Sequence, residues 1–325
     1  MEALLYDRLA DNLVQCRLCR QDCVIKPGRR GKCAVRENRA GTLMSLVYGQ
    51  VVAANVDPIE IKPLFHFLPG SLSFSIATVG CNLRCRFCQN ADIAQMPRDQ
   101  KGRVVGQAQT PEAIVAAAKA NGCASIAYTY TEPTVYFEFA RDTGRIARQA
   151  GLKNIWVTNG FMSADALEMA APYLDAANVD LKAFNDDFYR NLCGARLAPV
   201  LDTLKAMRQR GVWVEVTTLI IPGLNDDSEE LKQLAAFIAT ELGVDTPWHV
   251  SRFHPTYQLT DRPPTPVETL LNARQIGMDA GLRYVYCGNI PGRGGEDTRC
   301  WRCGETLIDR QGFSIRRNRV QAGAC

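Results

Sequence analysis

Between Ser73 and about Tyr286 the chain alternates short β-rich runs with capped amphipathic helices, and it does so in six units. SFSIATV (73–79), ASIAY (124–128), KNIWVT (153–158), AANVDL (176–181), VWVEVTTLII (212–221) and WHVSRF (248–253) read as strands. Helix signals follow each of them. Thr110-Pro111-Glu112 supplies an N-cap, a proline at the first helical position and an acid in the first turn, and Gly122 stops that helix. Further helices are expected from about Pro133 to Ala150, from near Ser163, and at about 199–210 and 228–242. The last is opened by Thr265-Pro266 and closed by Gly281. Strand–helix–strand units pair their strands in parallel through right-handed crossovers. Six units fall short of the eight of a closed barrel. The expected fold is therefore α/β, a partial (β/α)6 TIM-like barrel, with a doubly wound open sheet as the alternative. Either architecture binds ligands at the carboxyl ends of its strands.

Around this core, residues 1–72 form a cysteine-bearing extension that becomes strand-like at 42–56, and 287–325 form a tail too poor in apolar residues to fold unaided. The chain is 46% hydrophobic and 22% charged, with mean hydropathy −0.14, which is globular composition and excludes disorder. No run approaches a membrane span. The opening MEALLYDRLADNLVQC lacks a basic start followed by an apolar core, so a cytoplasmic protein without a secretion signal is expected. Residues 1–50 hold nine Lys/Arg against five Asp/Glu, and 283–325 hold eight against four. Basic ends suit an acidic partner or nucleic acid, but a solvated surface accounts for them more simply.

Thirteen cysteines in a reducing compartment suggest metal or redox chemistry in place of disulfides. Cys81, Cys85 and Cys88 follow the first strand in the spacing C-x3-C-x2-C, with Phe87 just before the third. Three thiolates can hold three irons of a cubane [4Fe–4S] cluster and leave the fourth open to substrate or cofactor. A zinc site or buried thiols are the alternatives.

The triplet before a (β/α)6 core resembles the signature of the radical S-adenosylmethionine (SAM) enzymes. That resemblance implies that SAM chelates the open iron and is cleaved reductively to methionine and a hydrogen-abstracting 5′-deoxyadenosyl radical. Further motifs are similar to those of the pyruvate formate-lyase activating enzymes. Thr129-Tyr130-Thr131-Glu132 resembles that family's Gly-Gly-Glu stretch, which binds the SAM amino group, with threonines replacing both glycines. Asp180-Leu181-Lys182 resembles its Asp-Leu-Lys, where the acid meets the amino group and the lysine meets the carboxylate. On their own, Asp180 and Lys182 would be a routine strand-end ion pair. Thr158-Asn159-Gly160 resembles Thr-Asn-Gly, implying a ribose or methionine contact for Asn159. Ile220-Ile221-Pro222-Gly223 resembles the segment that packs on adenine, and His254 takes the place of a histidine near the adenosine. Over essentially the whole chain the likeness is closest to the radical SAM enzyme of the AmmeMemoRadiSam system. It rests on Asp57-Pro58-Ile59-Glu60, on 62–70 (KPLFHFLPG), on 128–134 (YTYTEPT) and on Gly288-Asn289 with the cysteine-bearing tail. Prolines and a glycine make 57–70 a rigid non-helical arm, in which packing is the expected role of His66. The resemblance implies a protein or peptide substrate, Memo-type and AMMECR-type partners, and a flavodoxin or ferredoxin as electron donor. A small metabolite substrate, or a non-catalytic metal-binding module contacting nucleic acid, are the competing readings.

Cys16, Cys19, Cys23 and Cys33 offer four thiolates within eighteen residues, and a structural metal, zinc for preference, is expected there. Cys300 and Cys303 form a knuckle, and Cys325 stands where a second pair of a zinc ribbon would begin. Cys193 follows the fourth strand and is expected to be buried, with a radical-relay role as the alternative.

Overall fold

The computed structural model of the protein describes residues 1–290, 295–321 and 323; Cys325 lies outside the described residues. All six expected strands are present: β2 (Leu72–Ala77), β3 (Ser125–Tyr128), β4 (Lys153–Thr158), β5 (Ala176–Asp180), β6 (Trp213–Ile220) and β7 (Trp248–Arg252). They pair in parallel, in sequence order. The sheet is larger than expected. β8 (Val285–Gly288) joins β7 in parallel, and β1 (Ala53–Pro58) pairs antiparallel with β2 at the opposite edge. The eight strands form an open sheet, a partial barrel. β1 lies in the segment expected to be the N-terminal extension, and β8 spans the start of the expected tail. β1 falls largely within the stretch expected to be strand-like, 42–56, and its closing proline is tolerated because it lies at the sheet edge.

The crossover helices stand where the capping signals put them. α1 (Pro111–Ala120) is capped by Thr110, whose Oγ1 accepts from Ala113 N–H at 3.2 Å. α2 (Phe137–Gln149) follows a 3-10 turn at Pro133–Tyr136, and Ser163 caps α3 (Ala164–Ala170). α4 (Ala198–Gln209), α5 (Ser228–Phe237) and α6 (Val267–Asp279) complete the outer layer. One signal is misread. Thr265 does not cap α6; its buried hydroxyl donates to Ile220 O at 2.6 Å and accepts from Phe253 N–H at 2.9 Å, tying β6 to the end of β7.

The arm after β1 closes the floor of the barrel. Phe65 N–H and His66 N–H donate to the Glu215 carboxylate at 3.0 and 2.8 Å, and Trp213 Nε1–H joins them at 3.1 Å. His249 Nε2 lies 2.7 Å from the same carboxylate. From the tail, whose strands Thr298–Arg299, Thr306–Gln311 and Ser314–Asn318 form an antiparallel sheet, Arg310 Nη2 donates to Phe65 O at 2.7 Å. Arm, floor and tail are thus joined by one largely buried polar network.

His66 carries a consequence for pH. It packs against Tyr284 and bonds Tyr286 Oη through Nε2 at 2.7 Å. Burial pushes its imidazole down to about 4. An unfolded histidine titrates near ~6.5, so between those values the unfolded chain binds a proton that the folded chain refuses. Stability is complete above pH ~6.5 and falls by about 2–3 kcal/mol as pH drops toward 4. Denaturant melts of wild type and His66→Gln at pH 7 and 4.5 check this. The variant should show the shallower loss, and equal losses would refute the assignment.

Candidate active site

Gly80 turns the chain from β2 into the cysteine loop. Its φ of +103° suits glycine alone, and a Cβ there would come within 2.7 Å of Val35. The loop is braced on three sides. Arg84 and Arg86 N–H groups bond Cys193 O and Leu192 O of the π-helical turn Tyr189–Cys193, at 2.8 and 2.9 Å. Asn159 Nδ2–H bonds Asn82 Oδ1 at 2.8 Å and reaches Cys81 Sγ at 3.7 Å. Asn90 Nδ2–H bonds Tyr130 O at 2.8 Å. Cys81, Cys85 and Cys88 all line one cavity of about 520 Å³ at the carboxyl ends of the strands. A hydrogen bond shared with Cys193, then burial, raise the Cys85 thiol pKa; burial raises Cys81, and Cys88 to about 11. Leu83 N–H points at Cys81 Sγ from 3.4 Å, a geometry that favours the thiolate once a metal displaces the proton. Phe87 packs on Phe188 beneath the loop.

Glu132, Asp180 and Lys182 line the same cavity with Thr131 and Asn159. Glu132 is buried and accepts four bonds. Thr134 N–H, Thr134 Oγ1–H and Thr158 Oγ1–H crowd Oε1, while Asn159 N–H takes Oε2 at 2.8 Å. A carboxylate has about four lone-pair sites, two on each oxygen, so Oε2 keeps one for a ligand. Thr131 N–H bonds Thr129 O at 2.7 Å around Tyr130, whose φ of +61° is left-handed and strained for a tyrosine. Tyr130 is held there from both ends, by Asn90 at its carbonyl and by Asp57 at its hydroxyl (2.5 Å). Lys182 Nζ pairs with Asp180 at 2.9 Å. Burial opposes its charge, yet Asp180, Cys85 and Cys193 hold its pKa well above the ordinary lysine value.

Other expectations fall away from the cavity. His254 is exposed and does not line it; its neighbour Phe253 is buried in the hydrophobic core. His66 serves the floor. The residues that composition and spacing did not single out lie on inward positions of the strands. Asn178, Thr217 and His249 face the lumen, and Lys62, fully buried, pairs with Asp57 at 2.6 Å beneath the Tyr130 ring. The period-2 alternation of polar Asn178 and Asp180 on β5, and of Glu215 and Thr217 on β6, was the available signal.

Cys193 and Cys287 are buried, and Cys287 Sγ lies 3.8 Å from Leu270 O. Cys300 and Cys303 sit on a tight turn closed by Gly304 N–H to Cys300 O. Cys16, Cys19, Cys23 and Cys33 line a separate small cavity against Asn82 of the cysteine loop. No helix among the described residues is long and apolar enough to cross a membrane.

Comparison with known proteins agrees with this geometry. The model of the Radical SAM superfamily matches residues 75–237. An uncharacterized protein of Methanocaldococcus jannaschii is 49% identical over 97% of this chain and 93% of that one. Pyruvate formate-lyase 1-activating enzyme of Escherichia coli K12 is 25% identical over 49% of this chain and 65% of its own length, a more distant relationship. Among solved structures, a radical SAM methyltransferase from Sphaerobacter thermophilus superposes with TM-score 0.53 at 17% identity, covering 74% of this chain and 71% of that one. Streptococcus suis SuiB bound to precursor peptide SuiA gives 0.52 at 17%, covering 65% and 47%. Such identities speak for the fold. The chain belongs to the radical SAM superfamily, whose cofactors are a [4Fe–4S] cluster and S-adenosylmethionine.

Proposed function

We propose that this radical SAM enzyme abstracts hydrogen from a protein or peptide partner, as the radical SAM member of the AmmeMemoRadiSam system with Memo-type and AMMECR-type partners. The observation that carries the reading is the single cavity joining three thiols to an acid–lysine pair and an under-used carboxylate oxygen. Cys81, Cys85 and Cys88 hold the cluster; they line one cavity, and the Leu83 and Asn159 N–H groups on Cys81 Sγ suit a thiolate ligand. Bound together, cluster and SAM supply an electron and a hydrogen-abstracting radical. The chain's own residues bind and orient. Lys182 meets the SAM carboxylate, Asp180 and Glu132 Oε2 meet its ammonium, and Asn159 fixes Cys81 against the strand ends. Loss of one charge-assisted contact weakens binding by about 1.5–3 kcal/mol. The fold fits a partner chain too: relatives include an enzyme named for activating pyruvate formate-lyase, and a structural neighbour holds a peptide.

Two measurements test this. Lys182→Ala should keep its cluster, read from the visible absorbance of anaerobically purified protein, yet bind SAM at least tenfold more weakly by calorimetry. Equal affinity would leave Lys182 a mere strand-end ion pair. Incubation with SAM, a low-potential donor such as flavodoxin and the Memo-type and AMMECR-type proteins should yield 5′-deoxyadenosine and a partner of altered mass. A mass unchanged in both partners while deoxyadenosine accumulates would overturn the partner assignment.

A further inference from the structure

The cysteine loop has an inner and an outer face. Cys85 is buried and lines the cavity, while its neighbours Arg84 and Arg86 are exposed. This is the alternation of an extended segment, here one whose amides hang on Cys193 O and Leu192 O. Arg84 lies over Gly194, where a Cβ would stand 3.1 Å from its Nε.

More cations gather on the outer face. Gln21 Nε2–H bonds Asn82 O and Gly194 O at 3.0 and 2.8 Å, and its Oε1 accepts from Lys32 Nζ at 2.7 Å. Arg98 lays its guanidinium on the loop carbonyls, with Nη1 3.3 Å from Leu83 O and Nη2 3.3 Å from Cys81 O. Arg196 donates to Arg20 O at 3.1 Å, and the two share a surface recess of about 420 Å³. These six cations flank one loop, and among the described residues none of them makes an ion pair. Elsewhere on the surface such groups are commonly paired, as Arg17 is with Asp7, Lys153 with Asp175 and Arg283 with Asp245. Few acids stand at the edge of the face. Asp186 holds Arg190 and the Leu197 amide, Asp99 accepts from the Tyr257 hydroxyl, and Asp202 lies in the recess. Like charges gathered this way repel one another in the free protein and create a field that draws anionic partners.

The cations come from four separate stretches of chain and only Arg20 and Arg196 share a recess, so the face suits a broad anionic surface and not one small anion. Its position decides which. The inner face of the loop is given to SAM and substrate, whereas the outer face is one residue of chain from the ligands, and adjacent Cα atoms are about 3.8 Å apart. SAM cleavage takes one electron that comes from outside the chain, and electron transfer falls off steeply with distance. We propose that this face docks an acidic, low-potential electron-carrier protein of the flavodoxin or ferredoxin kind. The carrier is oxidised by one electron and the cluster is reduced by that one; no atom or proton changes hands. The assignment rests on Cys81, Cys85 and Cys88 being the cluster ligands.

The test uses the full chain purified anaerobically with its cluster, and flavodoxin as the carrier. Arg84→Glu/Lys32→Glu protein should bind oxidised flavodoxin at least ~10-fold more weakly at low salt by calorimetry, with a flatter salt dependence than wild type. In stopped flow, reduced flavodoxin should bleach the variant's cluster at least ~10-fold more slowly. Dithionite should bleach it at the wild-type rate, and the midpoint potential should not move. Arg196→Glu, which lies off the cysteine loop, should show the same losses in smaller measure, so the outcome does not hang on the folding of one variant. Wild-type rates with flavodoxin in both variants overturn the docking face. Equal slowing by flavodoxin and dithionite, or a shifted midpoint, overturns it in favour of cations that tune the cluster. Tighter binding of a random-sequence DNA duplex than of flavodoxin at the same salt overturns it in favour of a nucleic-acid surface. Wild-type protein without iron would refute the cluster reading as well, whereas a reducible cluster with unaltered docking refutes the face alone.

Discussion

Cys85→Ala protein, given SAM and a chemical reductant under anaerobic conditions, forms 5′-deoxyadenosine only at background level. The thiol it removes is the one of the three that faces a further cysteine: Cys193 raises the Cys85 thiol pKa, and both act on Lys182. Cys193 is therefore the thiol placed to substitute, and trace activity in the single variant should vanish in Cys85→Ala/Cys193→Ala. Backbone bonds from Arg84 and Arg86 to the 189–193 turn do not involve the Cys85 side chain, so the loop keeps its shape and circular dichroism stays native. Undiminished SAM cleavage in the double variant would sink the cluster assignment. Cys193→Ala alone should cleave SAM at the wild-type rate, which separates a spare ligand from an obligatory one.

Glu215→Ala loses about 3–5 kcal/mol of folding stability, among the largest effects open to one side chain here. The carboxylate is fully buried and accepts from two arm amides, the Trp213 indole and His249. Burial alone would raise its pKa, but the His249 bond and the other donors hold it below the ordinary glutamate value. Its removal leaves four donors without acceptors in the barrel floor, each at about 1–3 kcal/mol before the structure relaxes. Glu215→Gln keeps one acceptor and the shape, and should lose about half as much. Urea melts at pH 7 measure both. A Glu215→Ala protein within ~1 kcal/mol of wild type would show that the arm docks by packing alone.

The sequence made the core legible because its local signals agree with one another. Thr110 caps its helix as expected, Ser163 caps the helix expected to start near it, and each glycine stop follows its helix. The cysteine loop was equally plain, since C-x3-C-x2-C after a strand constrains chemistry at short range. What stayed hidden depends on distance along the chain. Nothing near Glu215 announces that its partners are Phe65 and His66, 150 and 149 residues away. Single polar residues such as Asn178 inside apolar strands look ordinary until closure of the sheet turns one face into a lumen. Thr265 misled because Thr-Pro is a cap signal wherever it falls, and tertiary bonds to Ile220 and Phe253 took the hydroxyl instead. His254 sits at a strand end by sequence, but it is exposed and lies outside the cavity lining.

The arm at 59–70 also bears on how the chain reaches its native state. It leaves the ribosome before every parallel strand, yet its acceptors arrive with Glu215 and its clamp with Arg310, 245 residues after Phe65. Contacts of such separation form late, because loop closure must precede them. Until then Phe65, Phe67 and Leu64 have no floor to cover. Folding should accordingly show a slow final phase in which the barrel is assembled but uncorked, with apolar dye bound and then released as the arm seats.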